Sequence, residues 1–352
     1  MHADIRDILK AGPITASAPC RIDMGGTLDL STFYIPLRSL NPCTFNMALS
    51  LRTAVRIEAW EKGRVRVASK GFKSTEFPTG QAPFNHPLGF MFAVANYFNA
   101  DGIQITIESS SPPRSALGGS SAAAVALVAA LQEAVSRWGG KPMTRRKAVL
   151  LAHALESSVA GVPCGLQDHL AAAYGGVNAW YWPTSMGSPV FKRVPVMRSA
   201  MFKDMEKHTL VAYCGAPHIS ADINGEWVRQ FIAGERRERW AQVTDCTHQF
   251  ISAMAVMDIG KAADCMNREV TLRLAMTPGV LDEIGAQLVT AAIDSGCGAR
   301  FTGAGGGGCV WALGNAEDID SLREMWETIL SARADARLLD STIDRKGLGI
   351  HP

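Results

Sequence analysis

The segment PPRSALGGSSAAAVALVAALQEAV, residues 112–135, constrains the fold more than any other stretch of the chain. Its second half continues to about Trp138, stops at Gly139-Gly140, and is dense enough in alanine to read as a tightly packed helix. Its first half, with two prolines, reads as a loop that delivers Gly118 and Gly119 to the helix start. A helix start offers unpaired N–H groups and the positive end of the helix dipole, so an anion is favoured there. Three jobs are open to Ser120 and Ser121: capping the helix, binding phosphate, or ligating Mg²⁺. A cap needs one serine and explains neither the glycines nor the preceding Pro-Pro-Arg. The GK[ST] of a Walker A loop is missing, so phosphate bound here would depend on the backbone, with Arg114 as helper.

The chain holds 33 glycines, whereas ordinary usage of roughly 7% would give about 25. The surplus of about eight is close to the nine glycines that fall in three clusters: Gly25-Gly26, Gly118-Gly119, and Gly303 with Gly305 to Gly308. Each cluster alone is also what an ordinary loop looks like. The last, GAGGGG, formally fits GxGxxG, but a strand-like Cys-Val-Trp-Ala-Leu follows where a dinucleotide site needs a helix. It therefore reads as a flexible loop between strands, of the kind that closes over a substrate or nucleotide.

At roughly 150 residues per domain, 352 residues suggest two domains. With 47% hydrophobic and 19% charged residues the chain is not disordered. A net charge of +2 gives no case for nucleic acid as a partner. The longest apolar stretch, Ala122 to Leu131, is too short for a bilayer, so no membrane partner is expected. The opening MHADIRDILK lacks the apolar core of a signal peptide, and the eight cysteines are scattered without a CxxC pair. Reduced thiols and a cytoplasmic location are the expectation.

Alternation over Thr53 to Ala59 and Arg64 to Ser69, around Glu61-Lys62-Gly63, predicts a hairpin. Residues 103–109 predict a further strand, and Thr144 caps an expected helix to about Val159. The Pro, Ser, Gly and Thr of 182–195 fit a domain junction near 195. Beyond it the pattern predicts a strand over 209–214, helices over about 222–275 and 278–296, and strand, glycine loop, strand over 299–313. A helix over about 318–335 and a strand near 337–343 close an α+β arrangement. Two acids stand out. Glu156 falls late in the Thr144-capped helix, where an exposed helix charge is the plain alternative. Asp168 follows a turn with two glycines and a proline, where it could instead cap the alanine-rich run 169–173. His169 reads as a helix-start or packing residue, because no second His or Cys stands at ligand spacing.

Three ordered motifs resemble those of the GHMP kinase superfamily (galactokinase, homoserine, mevalonate and phosphomevalonate kinases). They are Ala18-Pro-Cys-Arg21-Ile-Asp23-Met-Gly25-Gly26-Thr-Leu-Asp29, the loop Pro113 to Ser121, and Phe301-Thr-Gly303-Ala-Gly-Gly-Gly-Gly308-Cys309. Within the superfamily the likeness is greatest to sugar kinases of the heptose 7-phosphate kinase type, with fucokinase nearby. The departures are Cys164 where glycine is common and His169 in place of a glutamine. The resemblance implies an α+β fold of two domains. An N-terminal ribosomal protein S5 domain 2-like unit (1–195) would carry the phosphate loop, and a C-terminal ferredoxin-like unit (196–352) the glycine-rich loop. It implies an ATP-dependent kinase phosphorylating a sugar or sugar-phosphate hydroxyl, the anomeric one by likeness, with ATP and Mg²⁺ as cofactors. A homodimer is compatible with it. Mevalonate or another non-sugar alcohol is the alternative acceptor, and a non-catalytic sugar or nucleotide sensor the alternative class.

The implied roles follow motif by motif. Gly118, Gly119, Ser120 and Ser121, helped by Arg114, would hold the nucleotide phosphates, and Ser121 with Glu156 the metal. Asp168 would be the catalytic carboxylate and Arg21 its cationic partner. Asp23, Gly25, Gly26 and Asp29 would bind the acceptor, with Gly303, Gly305 and Gly306 closing over it.

Overall fold

The computed structural model describes residues 4–161, 163–185, 187–217 and 223–351. Its strands are β1 (Ile14–Met24), β2 (Cys43–Ala59), β3 (Arg64–Ser69), β4 (Thr75–Pro78), β5 (Ile103–Ser109), β6 (Val177–Tyr181) and β7 (Lys192–Pro195). β8 (Thr209–Tyr213), β9 (Gly298–Phe301), β10 (Cys309–Leu313), β11 (Arg337–Leu338) and β12 (Gly349–His351) follow. They form an eight-stranded sheet in the order β12-β1-β2-β5-β3-β4, with β6 and β7 added beside β2, and a four-stranded sheet β11-β8-β10-β9. Helices accompany both sheets, so the fold is α+β.

The 17-residue β2 is the spine of the large sheet. Most of its length, Phe45 to Ile57, pairs with β1, its first part with β6 and its last part with β5. The expected hairpin of β2 and β3 does not form. β5 lies between them, antiparallel to β2 and parallel to β3. Ile103, Ile105 and Ile107 of β5 are buried on the same core face as Val55, Ile57, Val65 and Val67. Period-two alternation reports which face is buried and says nothing of which strand is the neighbour.

The alanine-rich helix, Gly119–Arg137, packs into the core beneath β1 and β2, with Ala122 to Leu131 buried throughout. It is long and apolar enough to span a bilayer but is mostly enclosed by protein. Small alanine side chains let its backbone approach the sheet closely. Thr144 caps Arg145–Val159 as expected, accepting from the Lys147 amide at 3.3 Å. Asp168 caps nothing. Its helix, Gln167–Tyr174, is led by Leu166, and Asp168 lies inside the first turn.

The helices expected over 222–275 are Ile223–Ile232, Arg237–Ala255 and Ile259–Met276, residue 222 itself lying outside the described residues. The terminal strand expected near 337–343 is shorter than predicted, only β11. β12 was not predicted at all. It returns to the large sheet and pairs with β1 at Thr15, Ala16 and Ser17.

Candidate active site

A cavity of about 420 Å³ opens between the N-terminus of helix Gly119–Arg137, the end of β1, the start of helix Gln167–Tyr174 and the loop after β9. Gly118 sits at the head of the first helix in the left-handed conformation (φ 76°), and no side chain caps it. The serines are therefore not spent on capping, and the first-turn amides are left to bind something else. A Cβ on Gly118 would come to 3.3 Å from the Asp168 carboxylate, a tight contact at a backbone angle that itself favours glycine. Gly119, Ser120, Ser121 and Arg114 all line the cavity.

Arg21, on β1 and nearly fully buried, donates through two nitrogens to the two oxygens of Asp168, each at 2.8 Å, and through the third to the Ala116 carbonyl at 2.6 Å. Burial pulls the guanidinium down, but Asp168 and then Asp23 outweigh it and hold Arg21 firmly protonated. Ser121 Oγ donates to Glu156 Oε2 at 3.1 Å. On the other side of the same oxygen stands the fully buried His169, its Nε2 at 2.9 Å. Burial raises the Glu156 carboxyl, yet the His169 imidazole and the Ser121 hydroxyl more than reverse this and leave it below the ordinary range. Glu156 is thus an inward-facing acid rather than an exposed helix charge.

Asp29 also lines the cavity and accepts the Gln167 amide at 3.0 Å. Gly165 packs so tightly on this carboxylate that a Cβ would overlap it. Burial pushes Asp29 up to about 6, the Gln167 amide opposing and the neighbouring Asp168 charge adding to the rise.

Several residues expected at the acceptor do not face the cavity. Asp23 is fully buried, and its carboxylate is taken by Arg300 (3.2 Å), the Gly303 amide (2.8 Å) and Arg21 (3.5 Å). Arg300 reaches on to Glu269 (2.9 Å), which also pairs with Arg273 (2.8 Å), and Arg273 donates to the Gly26 carbonyl (2.6 Å). Asp23 is the head of a buried ionic chain and does not line the cavity. A Cβ on Gly25 would meet Thr247, and one on Gly26 would meet Asp23 and Gln167; these glycines serve close packing. The loop Gly303 to Gly308 is tied down rather than free to close. Gly303 bonds Asp23, Gly306 bonds the Val280 carbonyl (2.7 Å) and Gly308 the Ala216 carbonyl (3.0 Å). Gly303 and Ala304 reach the cavity, whereas Gly305 and Gly306 do not.

Sequence reasoning missed the other half of the cavity. Lys70, Phe72, Leu88, Phe90, Met91 and Ile107 line it from three separate segments, and no spacing connects them. It also missed Thr27, which lines the cavity at φ 79°, a strained backbone for a β-branched residue, and donates to Asn224 Oδ1 at 3.1 Å. An unusual backbone at a cavity wall leaves no trace in a single sequence.

A glycine-led helix terminus, a hydroxyl–carboxylate pair and a buried Arg–Asp pair thus stand around one cleft. The chain belongs to the GHMP kinase family: "GHMP kinases N terminal domain" matches residues 85–176 and "GHMP kinases C terminal" residues 250–331. The family is one of ATP-dependent kinases. The chain is 26% identical to a mevalonate kinase of Thermococcus sibiricus over 332 residues, 85% of this chain and 89% of the relative. Its fold is similar to a D-glycero-D-manno-heptose 1-phosphate kinase from Bacteroides thetaiotaomicron (TM-score 0.71, 15% identity, 96% of this chain and 99% of that one). It is likewise similar to a Lactococcus lactis galactokinase complexed with galactose (TM-score 0.72, 17% identity, 96% and 95%). At such identities these structures speak for the fold alone.

Proposed function

We propose that the chain transfers the γ-phosphate of ATP to a hydroxyl of a sugar or sugar phosphate. The observation that carries this reading is the two-pronged Arg21–Asp168 pair standing against the Gly118-led helix terminus in one cavity. Family membership supports the ATP-dependent transfer; the acceptor class and the residue roles are the proposal.

The residues fit a magnesium nucleotide. The first-turn amides of Gly119, Ser120 and Ser121 would hold the phosphate oxygens, with Arg114 at the rim. Ser121 and Glu156 supply two hard oxygen donors of the kind Mg²⁺ takes. Among the described residues no group of three or more His, Cys, Asp or Glu side chains could hold a metal, so the ion would share its remaining positions with phosphate and water. Bound Mg²⁺ would neutralise charge on the phosphates being separated. His169, its Nε2 2.9 Å from Glu156 Oε2, would favour the ionised form of that carboxylate. Asp168 would accept the proton of the acceptor hydroxyl or hold that hydroxyl in line, and Arg21 would keep Asp168 ionised while countering charge that builds on the moving phosphoryl group. Asp29 would accept hydrogen bonds from acceptor hydroxyls. The division into units at residue 195 would put this chemistry in the cleft between them.

The curated relatives favour one second reading, a mevalonate-type alcohol as acceptor. An ADP-release assay with ATP–Mg²⁺ over heptose 7-phosphate, fucose, galactose and mevalonate separates the two. Turnover on mevalonate alone would overturn the sugar reading.

A further inference from the structure

Thr27 holds a strained backbone in the cavity wall. Its φ of 79° lies in the left-handed region, where a β-branched side chain is crowded and glycine would be at ease. Such a conformation persists only where its surroundings over-determine it, and such positions cluster at binding sites. The surroundings of Thr27 are well defined. The Gly26 carbonyl accepts from the buried Arg273 at 2.6 Å, and Leu28 and Leu30 on the other side are buried. Phe33 then packs on Phe231 and Trp240, with ring centroids 4.7 and 4.3 Å apart.

The same aromatic cluster anchors the helix Ile223–Ile232. Asn224, Trp227 and Phe231 fall at i, i+3 and i+7 and so share one face, on which Trp227 and Phe231 are buried. Trp227 meets Trp240 edge-on at 5.6 Å, and the Arg273 guanidinium lies over both indoles. Asn224 therefore reaches the cavity wall on an element that is held in place. There the Thr27 hydroxyl donates to Asn224 Oδ1 at 3.1 Å. That bond orients the amide. Oδ1 is occupied, and the two N–H donors of Nδ2 have no partner among the described residues.

The turn Thr27–Leu30, closed by the Leu30 amide on the Thr27 carbonyl at 3.0 Å, also carries Asp29 into the cavity. An ionised carboxylate only accepts, whereas the Asn224 amide has donors to give. A hydroxyl that donates to a carboxylate keeps lone pairs for an N–H. From this arrangement we infer that Asn224 contacts the acceptor by donating to one of its oxygens, and that Thr27 is the positioning residue that aims the amide. The inference rests on the kinase reading above and adds a residue from the second half of the chain to acceptor recognition.

The test uses the full chain and whichever of heptose 7-phosphate, fucose, galactose or mevalonate it turns over. ADP release gives KM for acceptor and for ATP, and calorimetry without nucleotide gives acceptor binding. Thr27→Val keeps the shape and removes the hydroxyl; Asn224→Asp keeps the accepting oxygen and removes the donors. Each should raise the acceptor KM about tenfold, the scale of one lost hydrogen bond, with the ATP KM within about twofold of wild type. Thr27→Ser keeps the hydroxyl and should retain the wild-type acceptor KM. The double variant Thr27→Val/Asn224→Ala should be no worse than Asn224→Ala alone, because Thr27 acts through Asn224. Urea unfolding checks that each variant folds, and the Asn224 variants decide the contact if Thr27→Val does not.

An unchanged acceptor KM in both Asn224 variants, or a rise confined to the ATP KM, overturns the inference and leaves the kinase reading standing. Effects of the two sites that multiply to about a hundredfold overturn the positioning role of Thr27. Wild-type chain that binds an acceptor but releases no ADP overturns the kinase reading, and calorimetry on the same variants then decides the inference. A chain that neither binds nor phosphorylates any of the four compounds counts against both.

Discussion

Arg21 and Asp168, 147 positions apart in the chain, meet in a planar two-pronged ion pair with both N–H···O distances at 2.8 Å. The pair is held from outside: β1 fixes Arg21, whose amide bonds the Leu117 carbonyl, and the first turn of helix Gln167–Tyr174 fixes Asp168. Removing the carboxylate charge should therefore change chemistry more than structure. Asp168→Asn should lower kcat by about 1,000-fold, within the range a positioned acid or base contributes. ATP binding, followed by calorimetry, should stay within a few-fold of wild type. Near-normal turnover would remove Asp168 from the mechanism.

Gly118 tests the phosphate cradle. Its φ of 76° and the 3.3 Å approach of the Asp168 carboxylate both resist a Cβ. Gly118→Ala should cost about 1–2 kcal/mol in urea unfolding and weaken nucleotide binding besides. An alanine variant of wild-type stability and ATP affinity would show that this backbone is not the constraint.

The proposed metal site is tested by titration. Glu156→Ala should raise the Mg²⁺ concentration for half-maximal rate, and His169→Ala should do so by about 10-fold, since partners that orient a ligand carry that much affinity. The same order of effects should hold for Mn²⁺ binding followed by its relaxivity. An unchanged titration in both variants would place the ion elsewhere.

Asp29 makes a pH prediction. Its folded value of about 6 lies above the ordinary 3.8, so the folded chain binds this proton more tightly than the unfolded chain does. The cost of ionising it is absent below about pH 4, grows between pH 4 and 6, and reaches about 3 kcal/mol above that. Asp29→Asn should therefore be more stable than wild type at pH 7.5, with the advantage shrinking as pH falls to 4. Urea unfolding across that range is the measurement, and a difference independent of pH would contradict it.

Asp23 should behave oppositely to Asp29. Glu269→Gln or Asp23→Asn leaves a buried arginine short of its partner in a chain where Asp23, Glu269, Arg273 and Arg300 are all buried. Each should cost about 3–5 kcal/mol in thermal or urea unfolding at neutral pH. If Asp23→Asn instead keeps its stability and loses acceptor binding, Asp23 is a ligand residue after all.

Much of the site could be read from the chain because its signals are local. The Gly-Gly before an alanine-dense helix, the Thr144 cap and the acids at 156 and 168 depend on a few neighbouring residues and on backbone geometry. What those side chains touch depends on distant segments. Nothing near Asp23 announces Arg300, nothing near Glu156 announces that His169 will share its oxygen, and Thr27 gives no sign of Asn224. Two aspartates six positions apart in one motif look alike, yet one is sealed into an ionic chain and the other lines the cavity.

By itself the sequence determined the α+β class, most element positions and the three glycine clusters, since helix caps, alternation and glycine backbone freedom are short-range energies. Only the tertiary structure decided that β5 would separate β2 from β3, that β12 would return to β1, and that the last glycine loop would be pinned instead of free. Those outcomes turn on which distant groups share buried space, where an unmatched charge or donor is too costly to leave, and that cost is not written at any single position.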